Sequence, residues 1–289
     1  MAETHASQTL NFGLLGPVRA WLGNAELNLG SPQQRTILVM LLLREGAVAT
    51  LGELIEGMWG YEPPRSAVTT VRTYMSRLRR VLSELSPDAP ARIDSVYGGY
   101  ILHTTREMID VNRFSRHTAR GAEAAGRNDW GTARAELNAA LELWRGQPLA
   151  GTFGPYVAGQ RLRLQQLVAA ARVDFLRAMV GLGRYGEVLP ELTSMAAADP
   201  LREDVQGLLM TALHGSGRVA EALQHYQKTR RALIDDLGLE PGVQLRAIHQ
   251  SILAGESTTA SSHPVTEYAR PHTTSPNTTH RRVRLVPAA

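Results

Sequence analysis

The stretch Gly183-Arg184-Tyr185-Gly186-Glu187-Val188-Leu189 recurs as Gly217-Arg218-Val219-Ala220-Glu221-Ala222-Leu223, an offset of 34 residues. That is the tetratricopeptide period, and the unit it describes is a helix pair that cannot bury its apolar face alone. Such pairs stack, and the stack presents a concave groove to a partner. Leu182-Gly183-x-Tyr185 leading to Asp199-Pro200 fits the second helix of a unit. A diverged copy reads at Gly126-Arg127-Asn128-Asp129-Trp130, followed by Ala133, Leu137 and Leu141. From about Asp110 to Glu256 the texture is Ala, Leu, Arg and Glu at helical spacing, interrupted by glycines. With only two close copies, a plain helical bundle carrying a chance repeat is the competing reading. The interval from Pro200 to Pro241, 41 residues, exceeds the period and leaves the end of the groove open.

The first hundred residues are built differently. Leu10 to Leu15, Val18 to Leu22, and Leu27 with Leu29 read as short strands separated by Gly16-Pro17 and Gly23-Asn24. Three helix starts follow. Ser31-Pro32-Gln33-Gln34 supplies a capping serine, a proline at the first helical position and a glutamine where a capping box wants it; Thr50-Leu51-Gly52-Glu53 is the Thr-x-x-Glu version. Ser66, after Pro63-Pro64, is a capping candidate for the third. These signals predict helices near 32–44, 51–59 and 67–85. Ile93 to Val96 and Tyr100 to Leu102 then flank Tyr97-Gly98-Gly99, a tight-hairpin signal. Strands, three helices and a hairpin give the order of a winged helix.

At about 100° per residue, Val68, Val71, Met75, Leu78, Val81, Leu82 and Leu85 share one arc of the third helix. Opposite lie Thr69, Thr73, Ser76, Arg77 and Arg80, with Arg72 and Arg79 on one shoulder. Between Glu62 and Glu84 there are five arginines (Arg65, Arg72, Arg77, Arg79, Arg80) and no acid. Arginine reads guanine edges and phosphates, hydroxyls reach phosphates or either base, and the threonine methyl meets thymine. An isolated helix of this kind is ordinarily a solvated face. Its place as third helix before a hairpin turns the reading toward a major-groove helix.

The net charge of +4 matters by region: Lys and Arg against Asp and Glu stand at 9 and 9 for residues 1–104, 18 and 17 for 105–256, and 4 and 1 for 257–289. The last segment is rich in Ser, Thr, His and Pro and is expected to be disordered, because it cannot offset its ordering entropy. The chain has no cysteine, which excludes disulfides, thiolate metal clusters and cysteine nucleophiles. The apolar run Ile37 to Leu43 is too short to cross a bilayer, and no basic-then-apolar leader opens the chain, so a soluble, cytoplasmic protein is expected.

Enzyme constellations are absent from the pattern. His214 and His225 are 11 apart, with no His-Glu-x-x-His. Asp235 and Asp236, adjacent on a helix, diverge by about 100°. No Gly-x-Ser-x-Gly elbow occurs. Trp59, Trp130 and Trp144 sit in apolar patterns and read as core. No catalytic residue, metal or cofactor is expected.

Taken in order, these motifs resemble the Streptomyces antibiotic regulatory protein family, in which an OmpR-like winged helix precedes an all-helical bacterial transcriptional activation domain. The resemblance covers residues 12–255. It rests on Phe12-Gly13-Leu14-Leu15-Gly16-Pro17, Leu54-Ile55-x-x-Met58-Trp59-Gly60-x-x-Pro63-Pro64, Ser76-Arg77-Leu78-Arg79-Arg80 and Gly99-Tyr100. In the second half it rests on Leu143-Trp144-Arg145-Gly146-Gln147-Pro148-Leu149, Pro200-Leu201-Arg202-Glu203, Leu209-Met210-x-Ala212-Leu213 and Leu237-Gly238-Leu239-Glu240-Pro241.

The expected fold is an α+β winged helix-turn-helix followed by an all-α tetratricopeptide-like repeat domain. The divisions expected are a flexible N-terminus (1–9), the DNA-binding domain (10–104), the activation domain (108–256) and a disordered tail (257–289). The resemblance implies an activator of an antibiotic or other secondary-metabolite gene cluster. Its partners would be double-stranded promoter DNA with direct repeats, RNA polymerase with its sigma factor, and a second copy, as a homodimer or paired protomers. Larger relatives add an NTPase or phosphopeptide-binding module. Without a Gly-x-x-x-x-Gly-Lys-Ser/Thr loop, this chain resembles the small form, and nucleotide regulation is not expected.

Expected DNA contacts are Thr69, Arg72, Thr73, Ser76, Arg77, Arg79 and Arg80 on the helix, Arg92 as a phosphate contact, and Tyr97 and Gly98 in the hairpin. Gly60, Tyr61, Glu62 and Arg65 form the loop implied to face polymerase. A repeat scaffold whose winged helix binds protein, or a repressor using the same DNA contacts, are the alternatives.

Overall fold

A computed structural model describes residues 9–83 and 91–255. The tail 257–289, most of the N-terminal segment 1–9, and Leu85 of the apolar arc lie outside the described residues.

β1 (Leu10–Gly13), β2 (Arg19–Leu22) and β3 (Ala25–Glu26) form an antiparallel meander in that order. The third strand falls earlier than the Leu27/Leu29 alternation suggested. The tight Gly23-Asn24 turn sets the register at Leu22 opposite Ala25 and Trp21 opposite Glu26. Leu27 keeps one backbone bond to Ala20, and Leu29 is buried from a loop.

α1 (Pro32–Leu42) starts where expected, with Ser31 Oγ accepting from the Gln34 amide at 3.3 Å. It is buried on nearly every side and forms the centre of this half. β4 (Ala49–Thr50) leads into α2 (Leu51–Trp59), whose capping box is complete: Glu53 donates its amide to Thr50 Oγ1 and its carboxylate accepts from the Thr50 amide at 2.8 Å.

α3 (Ala67–Ser83) follows, then the hairpin β5 (Arg92–Val96) and β6 (Gly99–His103), with β6 central between β4 and β5. The two hairpin glycines serve different ends. Gly98 takes φ +83°, whereas a Cβ on Gly99 would strike the Ala49 carbonyl of β4.

After one 3-10 turn (Arg106–Met108) the chain is helical: α4 (Asp110–Gly126), α5 (Trp130–Glu142), α6 (Pro155–Gly181), α7 (Tyr185–Ala198), α8 (Glu203–Gly215), α9 (Val219–Leu237) and α10 (Val243–Leu253). The turns after α4, α6 and α8 are the same object. Asn128, Gly183 and Gly217 each have positive φ, at 60°, 72° and 77°. In each turn the next amide reaches five residues back: Asp129 to Ala124, Arg184 to Met179 and Arg218 to Leu213, at 2.9–3.0 Å. The diverged third copy is therefore a true repeat.

The repeats also explain two glycines. A Cβ on Gly181 would enter the Trp130 ring, and one on Gly215 would enter the Tyr185 ring. Each unit thus lays the aromatic that opens its second helix on the glycine that ends the next unit's first helix. The long interval to Pro241 arises because α9, at 19 residues, outruns the 14-residue α7. Gly238, with φ +67°, then closes α9, and α10 folds back onto α8 with Leu245 and Ile248 over Gly207. None of the described helices is long and apolar enough to cross a membrane.

The two halves share a seam. Segment 14–18 pairs with segment 145–150 through backbone bonds: Arg145 N–H to Leu15 O at 2.7 Å, Leu149 N–H to Leu14 O at 2.9 Å, Ala150 N–H to Gly16 O at 3.1 Å and Val18 N–H to Ala150 O at 3.0 Å. Asp110, opening α4, is 0% exposed. Its carboxylate accepts from the Leu14 amide at 2.8 and 2.9 Å, the Leu15 amide at 3.0 Å and Arg145 Nη2 at 2.7 Å. Burial pushes this carboxyl above its ordinary range, while the Leu15 and Leu14 amides and Arg145 pull it down.

The Arg145 guanidinium lies 4.9 Å over the Trp21 ring. Gly13 and Gly16 make room for it: a Cβ on Gly16 would stand 2.9 Å from the Arg145 backbone and Cβ. Further on, Tyr156 of α6 packs beside Gly57 of α2, and Thr36 Oγ1 of α1 donates to the Phe153 carbonyl at 3.1 Å. One apolar core consequently runs from β1, α1, α2 and α3 into α4 and the first half of α6.

The repeat packing carries a paired test. Gly181→Ala should lower the unfolding free energy by about 1–3 kcal/mol, because the methyl displaces the Trp130 ring. Gly126→Ala, at the equivalent position with nothing within 4 Å, should be neutral or stabilise by about 0.5 kcal/mol. Urea unfolding of the two variants beside the wild type measures both, and similar effects would exclude the ring contact as the reason for the glycine.

Candidate nucleic-acid interface

α3 has the two faces its periodicity implied. Ala67, Val71, Met75, Leu78 and Leu82 are buried against α1, α2 and β5. Thr69, Arg72, Thr73, Ser76, Arg77 and Arg80 are all exposed, so the helix brings them together as one row along its outer side. Among the described residues, no part of the helical half covers that row. Val68, assigned to the apolar arc by angle, is 39% exposed because the arc runs past the edge of the core at the first turn; Val81 is half-buried.

Within the row, Thr73 Oγ1 donates to the Thr69 carbonyl at 2.9 Å. Arg72 and Arg77 make no hydrogen bond or ion pair among the described residues. Their guanidiniums therefore stand ready to meet an anion without first breaking an internal partner.

Arg79 is used differently from its neighbours. Its Nε donates to the Ile93 carbonyl at 2.9 Å, its Nη2 donates to Ser95 Oγ at 2.7 Å, and the guanidinium stands 5.5 Å over the Tyr100 ring. It ties the helix to the hairpin. At the far end of that hairpin, Tyr97 is fully exposed beside Gly98. Arg92 is exposed at the base, with its Nε 3.1 Å from Asp94 Oδ2, and Asp94 also meets His103 Nε2 at 3.1 Å.

The loop between α2 and α3 leaves α2 through Gly60, whose amide donates to the Glu56 carbonyl at 2.7 Å and whose φ is +66°. Tyr61 is 98% exposed, and Glu62, Pro63, Pro64 and Arg65 are exposed with it. Gly60 faces Pro155 at the start of α6, so this loop lies beside the junction of the two halves.

The other residues weighed for chemistry are dispersed. His225 Nε2 lies 2.5 Å from Gln206 Oε1, and burial, then the Lys228 charge, hold its imidazole below the usual value. Asp235 and Asp236 are exposed. Among the described residues no group of three or more His, Asp or Glu side chains is placed to hold a metal ion. Trp59, Trp130 and Trp144 pack against the cores. Sequence reasoning gave no structural role to Trp21, Asp110 or Arg145; the local signals were the glycines at 13 and 16 and the Leu143–Leu149 motif that contains Arg145, read there as separate signatures.

Comparison with known proteins places both halves. Residues 24–102 match the family described as transcriptional regulatory protein, C terminal, and residues 109–253 match the bacterial transcriptional activator domain. The regulatory protein AfsR of Streptomyces griseus is 42% identical over 250 residues, covering 86% of this chain but 25% of AfsR. The chain thus spans about a quarter of the length of such relatives. The regulatory protein DnrI of Streptomyces peucetius is 32% identical over 257 residues, covering 86% of this chain and 93% of DnrI. Among solved structures, Mycobacterium tuberculosis EmbR in complex with a low-affinity phosphopeptide superposes with a TM-score of 0.79 at 30% identity, covering 87% of this chain and 66% of EmbR. An OmpR-like winged helix continuous with a bacterial transcriptional activator domain over nearly the whole length of DnrI makes the chain a member of the Streptomyces antibiotic regulatory protein family of transcriptional regulators.

Proposed function

We propose that this regulator is a sequence-specific activator that binds double-stranded promoter DNA at direct repeats, as a homodimer or paired protomers, and recruits RNA polymerase with its sigma factor to an antibiotic or other secondary-metabolite gene cluster. Residues 10–104 carry the DNA contacts and 108–256 the activating surface, in the cytoplasm and without a cofactor. The observation that carries the reading is the uncovered α3 row, with cationic groups and hydroxyls at the spacing of one helix face and no internal partner for Arg72 and Arg77.

In this reading α3 enters the major groove. Thr69, Arg72, Thr73, Ser76, Arg77 and Arg80 meet bases and phosphates. The bare Tyr97 with Gly98 reaches the flanking backbone, and Arg92 adds a phosphate contact once it exchanges Asp94 for the DNA. Arg79 acts at one remove by holding the hairpin at its angle. Tyr61, Glu62 and Arg65, projecting from Gly60, face polymerase. Activation fits the match of the second half to the bacterial transcriptional activator domain and the similarity to the regulatory proteins DnrI and AfsR.

Fluorescence anisotropy on a promoter fragment flanking the gene, titrated at several salt concentrations, tests the contacts. The double variant Arg72→Ala, Arg77→Ala should flatten the log–log salt slope by about 2, since each phosphate contact releases close to one counterion. Its unfolding free energy should stay within about 0.5 kcal/mol of wild type. Arg79→Ala should do the reverse, losing about 1 kcal/mol of stability through its hairpin bonds and leaving the slope in place. An unchanged slope in the double variant would remove both arginines from the interface. Transcription in vitro with purified holoenzyme should rise on adding the protein, and a fall would identify a repressor.

A further inference from the structure

The seam differs from an ordinary domain contact in kind. An apolar patch alone holds two bodies together but tolerates sliding, whereas Asp110 engages two successive amides of one half and a guanidinium that is itself clamped over Trp21 of that half. Buried ion pairs add little net stability over apolar residues of similar size. What a carboxylate and a planar guanidinium add is direction, because each bond weakens steeply away from its axis. Three of the four backbone bonds between segments 14–18 and 145–150 are accepted by the carbonyls of Leu14, Leu15 and Gly16, on the same stretch whose Leu14 and Leu15 amides Asp110 holds, so the carboxylate sets the strand that the pairing uses.

We propose that Asp110 and Arg145 are positioning residues for activation: they set the angle between the helical half and α3, so that a protomer seated on DNA presents its activating surface in one orientation. The inference rests on the activator reading above. Neither residue lies on α3, its loop or the hairpin, so neither belongs to the surface proposed to meet DNA. Loosening them leaves the α3 row intact and lets the helical half swing.

The test uses the full chain, the promoter fragment and holoenzyme. Asp110→Asn keeps the shape but turns two N–H donors toward the Leu15 amide and Arg145, which are donors themselves. It should bind the fragment within about twofold of wild type, because the sites are separate, and should reduce transcript yield by about tenfold. Pro17 and Ala150 are bridge partners across the seam, and the chain contains no cysteine. Adding Pro17→Cys and Ala150→Cys therefore places one disulfide there.

In the Asp110→Asn background the oxidised bridge should restore transcription, and dithiothreitol should abolish it again. Undiminished transcription by Asp110→Asn, or a loss that the oxidised bridge does not repair, overturns the proposal. If Asp110→Asn does not fold, Arg145→Lys takes its place with the same readouts and outcomes, since it keeps the charge but not the planar fork over Trp21. A wild-type chain that neither binds the fragment nor raises transcription refutes the activator reading itself, an outcome read without any variant.

Discussion

A single carboxylate, Asp110, organises the junction on which both halves of this chain depend. Left unpaired in that position it would be prohibitively unfavourable, so its three donors must be in place whenever the halves are docked. That requirement propagates. Arg145 must approach β1 closely, which demands glycine at 13 and 16, and it must be held from its other face, which Trp21 does. The motifs Phe12-Gly13-Leu14-Leu15-Gly16-Pro17 and Leu143-Trp144-Arg145-Gly146-Gln147-Pro148-Leu149, which read as separate signatures of two domains, are the two sides of one contact. A chain ending near residue 104 would leave Leu14, Leu15 and Val18 without their cover, so the winged helix here is half of a shared core.

The repeats show the same economy with different chemistry. Their period comes from one turn, with a left-handed residue at Asn128, Gly183 and Gly217 and a five-residue backward hydrogen bond after it. Asparagine substitutes for glycine in the first copy because its side chain tolerates that conformation better than other L residues do. The aromatics Trp130 and Tyr185 then fix the spacing between units by resting on Gly181 and Gly215. After the third unit, α10 folds over α8, with the His249 imidazole stacked on Tyr226 of α9 at 3.8 Å.

Much of this was legible in the sequence because it is local. Caps at Ser31 and Thr50, the arc on α3, the hairpin at Gly98-Gly99 and the 34-residue period are all written within a few residues or at a fixed interval. What was not legible is what depends on contact across the fold. Asp110 lies 96 residues from Leu14, and an aspartate after an isoleucine on a helix start reads as an ordinary N-terminal acid. Arg79 sits on the shoulder of α3, where an angle on a wheel does not say whether a long side chain bends to the hairpin or to solvent. Val68 shows the converse, an apolar residue at the right angle but beyond the end of the surface it would pack on. Leu27 and Leu29 alternate as a strand would, yet a two-residue turn had already fixed which residues pair.

The placement of the seam has one more consequence for how the protein works. The helical half meets β1, α1 and α2, and α1 and α2 lie between it and α3. The docking face and the arginine row are thus different sides of the same small core. The helical half cannot regulate by covering the row without breaking the Asp110 lock and the backbone pairing together, a change far larger than a hinge motion. What the helical half leaves available beside the arginine row is the surface next to the loop at Tyr61, where α6 begins against Gly60. A two-domain protein with a mobile linker would separate recognition from output, whereas a shared core makes the orientation of one a property of the other.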